Sequence, residues 1–324
     1  MCDVKDAIAT GMALGAAADL LLGDPRRRHP VAGFGTLAAG LERRAWRDDR
    51  ATGAAFAGGL VAAAAGLGVA LDRLTRRQPV VRAGVTALVT WTVLGGTSLG
   101  RAATTLEGHL ADGDLPAARA ALPTLAGRDP GGLGEGELAR ATIESVAENT
   151  ADAAVGPLLW GAVAGLPGLL AYRAANTLDA MVGHRSPRYE RFGWAAARTD
   201  DVLGWLPARL TAALTVACAP LVGGDARGAL RTWWRDGAAH PSPNAGRCEA
   251  ATAGALGVRL GGRNVYGSRV EDRPVLGDGR APRAGDIGRA VRLSRAVWTA
   301  AGVLAVATRA ISRNGKPAAA PSVN

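Results

Sequence analysis

Long apolar segments alternate with polar stretches along most of the chain. Residues 52–71 form a twenty-residue run without a charge, and residues 80–99 form a second run in which only Arg82, near its start, is charged. About 20 apolar residues are enough for a helix to cross the hydrocarbon core of a bilayer, and an arginine near the end can reach the interface. Both segments are therefore predicted to be transmembrane helices.

Four further apolar segments are shorter or interrupted. Residues 8–22 contain Asp19, residues 297–311 form a moderate last candidate, and residues 153–171 and 202–222 are broken by prolines. Interrupted apolar segments are tolerated at membrane depth where protein or a wet cavity surrounds them. We therefore interpret the two proline-containing segments as kinked or re-entrant elements that line a site. The first segment is either a marginal span or a buried helix.

This pattern predicts an all-α fold. We expect a polytopic integral membrane protein whose polar loop regions form one catalytic face, built as a single membrane-embedded domain over residues 1–314. The composition of residues 315–324 predicts a disordered tail. The strand-like stretches 264–266 and 275–276 predict a small hairpin at most.

Composition narrows the range of partners. The formal net charge is +10 at pH 7, and arginine supplies nearly all of it, since Lys5 and Lys316 are the only lysines. An anion bound within the body of the chain must therefore be held by guanidinium or backbone N–H groups. The arginines are scattered among apolar segments with little aromatic interleaving, which argues against nucleic acid as a partner. Three cysteines without metal-ligand spacing indicate a reduced, intracellular setting.

The most informative polar run precedes the apolar segment 153–171. Glu144, Glu148 and Asp152 follow one another at intervals of four, with Arg140 one step earlier. On a helix this spacing places three carboxylates and a guanidinium on one face. Three like charges in line destabilise a helix unless a cation or a partner compensates them. The run is therefore either a binding site or a solvated face stabilised by the pair of Arg140 and Glu144.

A second cluster of the same kind follows that apolar segment. Arg173, Asn176 and Asp179 again recur at helical spacing. Because two polar clusters flank one interrupted apolar segment, the pattern favours a site over two unrelated solvated faces.

Several motifs resemble those of one protein family and occur in the same order along the chain. They are Gly23-Asp24-Pro25, His29-Pro30-Val31, Glu144-Ser145-Val146-Ala147-Glu148-Asn149-Thr150, Tyr172-Arg173-Ala174, Asn176-Thr177-Leu178-Asp179, Ala197-Arg198-Thr199-Asp200-Asp201, Pro207-Ala208-Arg209-Leu210-Thr211 and Ser242-Pro243-Asn244-Ala245-Gly246. Together they are similar to the cobalamin biosynthesis protein family CbiB/CobD, adenosylcobinamide-phosphate synthase. The match covers nearly the whole chain, and six or more ordered motifs are far more specific than any one of them.

The resemblance implies a membrane enzyme of corrinoid assembly. It would join a propionate of adenosylcobyric acid, a cobalt corrinoid, to aminopropanol or its O-phosphate by an amide bond, with ATP and Mg²⁺. It also implies a multi-pass protein of the cell (inner or plasma) membrane, in contact with lipid, whose active face is cytoplasmic and whose partners include other corrinoid-assembly enzymes. Such chemistry needs a metal on the phosphate oxygens, cationic groups and a base.

Acidic residues are the candidates for metal binding and proton transfer in this interpretation. The catalytic candidates are Glu144, Glu148 and Asp179, and the metal candidates are Glu148, Asp152, Asp200 and Asp201. Mg²⁺ prefers hard oxygen ligands, which carboxylates supply. An adjacent aspartate pair before an apolar segment also serves as a helix cap, so this alternative stays open for Asp200 and Asp201.

Polar and aromatic residues elsewhere are the candidates for substrate binding. They are Arg173, Asn176, Arg198, Ser242, Asn244, Tyr266 and His29. Arginine binds phosphate and carboxylate in a bidentate fork, although both arginines could instead pair with nearby aspartates. The turn at 242–246 either displays its polar groups to a ligand or is a plain surface turn.

Tyr266 and His29 also have purely structural interpretations, and the same holds for a second histidine, His240. Tyr266 could stack on a flat macrocycle or pack against the protein core. His29 and His240 each precede a proline, and each is either a ligand or proton carrier or a capped loop histidine.

Two other classes of protein share some of these features. A membrane transporter, or a corrinoid-binding membrane protein without ligase activity, would also place charged residues beside broken helices. A transporter predicts repeat symmetry between its halves, and no internal repeat is evident in the sequence. A soluble helical protein would require residues 52–71 to be a buried core helix.

Overall fold

The chain is mainly helical. A computed structural model describes residues 7–25, 29–266 and 269–311, the side chains of 264–266 and 269–270 excepted. Its elements are α1 (Ala7–Leu22), α2 (Pro30–Ala45), α3 (Arg50–Thr75), α4 (Pro79–Val93), α5 (Gly96–Ala111), α6 (Leu115–Ala121), α7 (Glu135–Thr150), α8 (Gly156–Ala164), α9 (Leu166–Leu178), α10 (Trp194–Leu203), α11 (Trp205–Cys218), α12 (Ala226–Asp236), α13 (Ala245–Leu256), β1 (Leu260–Tyr266), β2 (Arg269–Leu276) and α14 (Ala284–Ile311). The predicted all-α fold is confirmed. The predicted tail, 315–324, and the side chain of Tyr266 lie outside the described residues.

Four helical elements in the described ranges are long and apolar enough to cross a membrane. They are α3, α4 with α5 (Pro79–Ala111), α11 with the 3₁₀ turn that follows it (Trp205–Val222), and α14. The predicted spans 52–71 and 80–99 fall within the first two of these elements. On α3 the side chains of Leu67 and Leu74 are 55% and 79% exposed. Apolar surface of this kind fits contact with lipid, and the protein is a polytopic integral membrane protein.

The prediction of a kinked or re-entrant element over residues 202–222 is wrong. Residues 205–222 form one continuous helical element, α11 followed by the 3₁₀ turn Ala219–Val222. Pro207 is the third residue of α11. The first four backbone N–H groups of any α-helix have no partner within the helix, so the N–H that proline lacks is not needed at this position. Pro220 opens the terminal 3₁₀ turn. Neither proline therefore removes a hydrogen bond from the middle of the helix.

The predicted break within residues 153–171 is confirmed. Two helices, α8 and α9, fold back on each other at Gly165, whose φ of +67° lies in the region that glycine favours. The return is so tight that a Cβ on Gly168 would lie 2.1 Å from the carbonyl oxygen of Trp160. With 9 and 13 residues, neither helix has the length of about 20 residues that a full crossing needs.

Two hydrophobic cores organise the helices. The larger core surrounds α14, with Trp298 as its largest fully buried side chain, and includes residues of α5, α7, α8, α11 and α13. The smaller core joins α2, α3, α9 and α10, with the rings of Phe56 and Phe192 5.1 Å apart. Because α7 belongs to the first core and α10 to the second, the polar residues of these helices lie where the two parts of the fold meet.

A two-stranded antiparallel hairpin lies beside α7. Strands β1 and β2 pair from Leu260↔Leu276 to Tyr266↔Arg269, so the hairpin is longer than predicted. The guanidinium of Arg140 donates hydrogen bonds to the carbonyl oxygens of Gly261 and Arg263. The hairpin is therefore attached to the helix that carries the first acidic motif.

Small residues bring α1 and α4 into close contact. A Cβ on Gly11 would lie 2.5 Å from Cβ of Thr86, and a Cβ on Gly15 would lie 2.5 Å from the carbonyl oxygen of Ala87. The spacing of four places both glycines on one face of α1, as in the small-residue interfaces of membrane helices. Any larger side chain at these positions must push α1 and α4 apart.

We predict that Gly15→Val destabilises the detergent-solubilised protein. Overpacking of a close interface costs about 1–3 kcal/mol, because the added methyl groups displace a backbone that cannot yield. The melting temperature measured by intrinsic fluorescence should fall clearly. The control is Gly58→Val on α3, where a Cβ would meet no atom within 4 Å. Equal melting temperatures for the two variants would contradict the proposed contact.

Candidate functional site

The motif-bearing stretches meet at a cavity of about 790 Å³. Its walls come from the loop 125–128, α7, α10, the turn at 240–245 and β2, together with the π-helical turns Ala151–Val155 and Asp179–Gly183. The predicted site residues that line it are Glu144, Glu148, Asp152, Asp179, Arg198, Asp200, Asp201, Ser242 and Asn244. A volume of this size lies within the range of small-molecule binding sites.

Both acidic motifs lead into π-helical turns at the cavity. Pro157 has no N–H to donate to the carbonyl oxygen of Ala153, which would be its α-helical partner. The N–H of Gly95, between α4 and α5, donates to that oxygen instead at 3.0 Å. Such turns recur at functional sites. Asp152 is therefore presented by an irregular turn, and not by the regular helix face that the four-residue spacing predicts.

Five carboxylate side chains form an acidic wall of the cavity. They are Glu148, Asp152, Asp179, Asp200 and Asp201. Burial, with the charges of Asp201 and Glu148, raises the pKa of Asp179 to about 6. Burial, with the charges of Asp179, Asp201 and Glu148, raises the pKa of Asp200 to about 7.

The pKa values of Asp152 and Glu148 shift in the same direction. Burial, followed by the charges of Asp200, Glu148 and Asp179, raises the pKa of Asp152 well above its usual value. Burial also raises the pKa of Glu148, while nearby Arg273 and Arg128 act in the opposite direction. The acidic wall thus gathers negative charge that favours either protons or a cation.

The chemistry of the acidic wall fits Mg²⁺. In the described part of the chain, no three His, Cys, Asp or Glu side chains are placed so that they alone could hold a metal ion. Mg²⁺ does not require such a cage, because it keeps several waters and commonly binds through one or two carboxylates plus substrate phosphates. The acidic wall offers oxygen ligands of this kind.

Glu144 lies at the cavity, but both of its carboxylate oxygens are already bonded. Arg128 donates a hydrogen bond to Oε2 at 2.6 Å, and the N–H of Gly261 donates to Oε1 at 2.7 Å. The side chain is 3% exposed. Glu144 therefore holds the loop 125–128 and the hairpin against α7.

Three of the predicted substrate-binding residues do not line the cavity. Asn176 lies behind the acidic wall and donates a hydrogen bond from Nδ2 to Oδ1 of Asp200 at 3.3 Å. Arg173 interacts electrostatically with Asp152 and with Asp24. His29 caps α2, where its Nδ1 accepts a hydrogen bond from the N–H of Val31 at 3.2 Å, and its Nε2 lies 3.6 Å from Asp24.

Arg198 and the turn at 242–245 form part of the cavity rim. Arg198 pairs with Asp201 at 3.1 Å and its side chain is 64% exposed. Oγ of Ser242 accepts hydrogen bonds from the N–H groups of Asn244 and Ala245. Asn244 donates to the carbonyl oxygen of Asp201 at 2.9 Å and accepts from Arg209 at 3.1 Å. The rigid turn that the sequence predicts therefore fastens α10 to α11.

The structure adds Arg128, Glu271 and Arg273 to the lining residues that the sequence predicts. His240, whose sequence context allows either a ligand or a capped loop histidine, also borders the cavity. Glu271 and Arg273 stand two positions apart on β2, so they share one face of the strand. Both residues lie between the strand-like stretches 264–266 and 275–276, so no sequence signal was available for this pair. Nothing in the sequence distinguished Arg128 from the other arginines.

The chain is similar to proteins from several bacteria. The family model described as CobD/Cbib protein matches residues 12–294. Proteins named cobalamin biosynthesis protein CobD are 56% identical over 298 residues in Mycobacterium tuberculosis (92% of this chain, 95% of the relative) and 46% identical over 271 residues in Geobacter metallireducens (82% and 85%). The Rhodobacter capsulatus protein of the same name is 41% identical over 298 residues (89% and 93%). No solved structure matches the chain. The family match and these relatives show that the chain belongs to the CobD/Cbib family.

Proposed function

We propose that this protein acts in cobalamin biosynthesis as an ATP-dependent ligase. It joins a propionate carboxylate of adenosylcobyric acid to the amine of aminopropanol, or of its O-phosphate, and forms adenosylcobinamide or its phosphate. The observation that carries the proposal is one cavity that is lined by the acidic wall together with Arg128, His240 and Arg273. The relatives reported above, which are named cobalamin biosynthesis protein CobD, support the pathway.

Amide formation from a free carboxylate needs activation, because a carboxylate is a poor electrophile. In the scheme we propose, a carboxylate oxygen of the corrinoid attacks the γ-phosphorus of ATP, which gives an acyl phosphate and ADP. The amine then attacks the acyl carbon, inorganic phosphate leaves, and the amine loses a proton to a base. The site must therefore hold phosphates, a carboxylate and an ammonium group close together.

Residues of the acidic wall are the candidates for holding the metal and the ammonium group. Mg²⁺, when bound to Asp152, Asp200 or Asp201, would neutralise the charge of the phosphate oxygens. Carboxylates also attract the ammonium group of the acceptor, which brings it next to the activated carboxyl group. Arg198 at the rim is the candidate for the phosphates, since its exposed guanidinium can turn from Asp201 toward a ligand.

Glu148 is the best-placed candidate for the base. It belongs to the acidic wall, yet Arg273 and Arg128 act on it and favour its charged form against the effect of burial. A base in this position can take the proton of the amine while the arginines stabilise negative charge nearby. Asp179, with its pKa near 6, is the second candidate for proton transfer.

Other predicted residues contribute by positioning in this scheme. Asn176 holds the carboxylate of Asp200, and Glu144 holds Arg128. Arg173 counters the charge of Asp152 from behind the acidic wall. These contacts fix the first layer of side chains around the ligand.

We propose that the protein resides in the cell membrane with its cavity accessible from the cytoplasm. The arginines Arg43, Arg44 and Arg47, at and after the end of α2, are exposed. Arg73, Arg76 and Arg77 flank the other end of α3, so the arginine distribution does not by itself orient the protein, and the cytoplasmic placement rests on the need for ATP. ATP is available on that side, and other enzymes of corrinoid assembly could hand on their products there.

We predict ligase activity for the protein purified in detergent. Adenosylcobyric acid, aminopropanol phosphate and Mg-ATP should yield the amide product and ADP in equal amounts, detected by chromatography and mass spectrometry. Parallel reactions with unphosphorylated aminopropanol identify the preferred acceptor. Corrinoid binding without amide or ADP formation would instead support the alternative of a binding protein without ligase activity.

We predict that Glu148→Gln removes turnover. Loss of a general base typically costs 10²- to 10⁴-fold in rate, so activity should fall by at least about 100-fold. Expression and melting temperature should stay near those of the unmodified chain, because Gln has the same shape. The control is Glu135→Gln, which changes an exposed residue in the first turn of the same helix. Full activity of Glu148→Gln would exclude Glu148 as the base.

We predict that Mg²⁺ stabilises the protein more at pH 8 than at pH 5. Asp179 and Asp200 bind protons more tightly in the folded chain than in the unfolded chain, where the pKa of an aspartate has its usual value of 3.8. Without a cation, their protonation favours the folded state at low pH, and this contribution is lost as the pH rises through 6 to 7. Bound Mg²⁺ replaces those protons, so its effect on the melting temperature should grow with pH.

The control for this measurement is a pair of single variants. Asp200→Asn should reduce the gain from Mg²⁺ at pH 8, whereas Asp112→Asn, at an exposed position outside the cavity, should not. A shift that is equal at the two pH values, or larger at pH 5, would contradict binding of the cation at the acidic wall.

A further inference from the structure

The helix α2 begins and ends on one side of the membrane. Gly11 of α1 lies against Thr86 of α4. One turn later Gly15 lies against Thr90, so these two helices run in the same direction. The short turn 76–78 joins α3 to α4, which makes α3 and α4 antiparallel. The end of α1 and the start of α3 are therefore on the same side, and α2, which connects them, does not cross the bilayer.

One face of α2 carries an open groove of about 560 Å³. Its lining residues are Gly33, Thr36, Leu37, Gly40, Leu41, Arg43 and Arg44. Most of them recur at intervals of three and four, which places them on a single face of the helix. Leu37 is 57% exposed and Leu41 is 39% exposed. The groove is therefore accessible and apolar over most of its length.

The other face of α2 holds the helix in the protein. Ala38 is buried in the smaller core, and the carboxylate of Glu42 pairs with Arg188 at 2.7 Å. On the groove face, by contrast, a Cβ on Gly33 would meet no other part of the protein within 4 Å. Packing with the rest of the chain therefore uses one face of α2 and leaves the groove open.

Two exposed arginines, Arg43 and Arg44, lie at the C-terminal end of the groove. In the ranges that the structure describes, neither of them forms an ion pair. The guanidinium of Arg43 turns back toward the groove, since a Cβ on Gly40 would lie 3.9 Å from its Nη2. The acidic residues nearest in the sequence all have other partners, and they are Glu42, Asp48 and Asp49. The positive charge at this end of the groove is therefore available to an anion.

An apolar groove that ends in two guanidinium groups matches the polarity of a phospholipid. An acyl chain is apolar along its length, and arginine binds a phosphate through paired N–H donors. Helices that lie at the membrane interface combine these two contributions when they bind anionic lipid. Among the described residues, no acidic side chain lines the groove. A second copy of this face would thus offer the arginines no partner, whereas the phosphate of a lipid does.

We propose that the groove on α2 is a binding site for one anionic phospholipid. An acyl chain lies along Gly33, Leu37 and Gly40, and the headgroup phosphate contacts Arg43 and Arg44. This inference goes beyond the proposed ligase function and does not rest on it, because lipid binding needs neither ATP nor a corrinoid.

The proposed lipid site lies on an element that is attached to the cavity. Besides the ion pair with Glu42, the carbonyl oxygen of Arg188 accepts a hydrogen bond from Nε1 of Trp46 at 3.1 Å, just beyond the end of α2. Arg188 stands between the cavity-lining residues Arg185 and Tyr189. A lipid in the groove would therefore bind the helix that holds this part of the cavity wall.

Lipid titration of the full-length protein in detergent tests the proposal. Phosphatidylglycerol and phosphatidylcholine with identical acyl chains are compared by native mass spectrometry, which counts the lipids retained per chain. The unmodified chain should bind one phosphatidylglycerol about tenfold or more tightly than phosphatidylcholine. The double variant Arg43→Gln/Arg44→Gln should lose about tenfold or more in affinity for phosphatidylglycerol and less than about twofold for phosphatidylcholine, because the charges that attract the anionic headgroup are removed.

Matched charge variants separate the groove from the general positive charge of the protein. Arg43→Lys/Arg44→Lys should bind phosphatidylglycerol more tightly than the double glutamine variant, because it keeps both charges without the guanidinium fork. The control is Arg227→Gln/Arg231→Gln, at two exposed positions of α12. It removes the same charge elsewhere and should leave the preference for phosphatidylglycerol unchanged.

A second pair of variants tests the groove itself. Gly33→Leu should fill the groove without meeting other parts of the protein, and so weaken binding of both lipids by about tenfold or more. The control is Gly58→Leu on α3, where a Cβ likewise meets no atom within 4 Å. Each variant is first checked for a single elution peak and an unchanged melting temperature. Because Arg43 and Arg44 are exposed, the charge variants decide the question even if Gly33→Leu is unstable.

Three results would overturn the lipid site. The first is equal affinity of the unmodified chain for the two lipids, or an equal loss in the variants of α2 and α12. The second is unchanged binding of phosphatidylglycerol to a stable Gly33→Leu variant, which would place the lipid outside the groove. The third is a dimer in the same spectra that Gly33→Leu dissociates, which would assign the groove to a second copy of the chain. The ligase proposal is tested separately by turnover, so none of these results bears on it.

Discussion

Mutual repulsion among carboxylates is the constraint on which the rest of this site depends. Glu148, Asp152, Asp179, Asp200 and Asp201 come from four helical elements and border one cavity. Each charge raises the free energy of ionising its neighbours, and burial adds to this cost. A fold that keeps such a group together must supply rigid elements around it and compensating charge within it. The two hydrophobic cores provide the rigid elements, and protons and nearby arginines offset the charge.

Hydrogen-bonded irregular turns contribute to the rigidity of the site together with the regular helices. The N–H of Gly95 bonds to the carbonyl oxygen of Ala153 because Pro157 leaves that oxygen without its α-helical partner. One bond therefore connects the break between α4 and α5 to the turn that carries Asp152. Gly165 reverses the chain between α8 and α9, which brings the second acidic motif back toward the first. Backbone irregularity is costly in a membrane protein unless it is bonded internally, and here it is bonded at the site.

Charges of both signs border the cavity. The acidic wall shares it with Arg128 and Arg273, and both arginines as well as Glu144 act on Glu148. Ligation of a carboxylate to an amine brings together an anion and a cation, and both must lose their charge before the amide exists. In the proposed reaction, a cavity lined by charges of both signs would hold the two reactants close to each other and to a base. Glu144 supports this arrangement although it does not offer a free oxygen, because it positions Arg128.

The sequence by itself determined the class of the protein and most of the acidic wall. A transmembrane helix can be predicted from a run such as 52–71 without tertiary information, because the length and the absence of charge decide whether a segment suits a bilayer. The four-residue spacing of Glu144 and Glu148 likewise follows from helix geometry alone. Prolines were harder to interpret. Pro157 is associated with a π-helical turn, whereas Pro207 has no effect on α11, because the consequence depends on the position of the proline within the helix.

Only the tertiary structure decided which polar residues share the cavity. Asp179 and Asp200 lie near each other because α9 and α10 pack in the smaller core, and no local pattern encodes that contact. Arg128 and Arg273 belong to a loop and a strand that α7 brings together through Glu144 and Arg140. Asn176 and Arg173, predicted to contact substrate, lie behind the wall because helix packing turns them away from the cavity. Spacing along one helix determines a shared face, but packing between helices determines what that face meets.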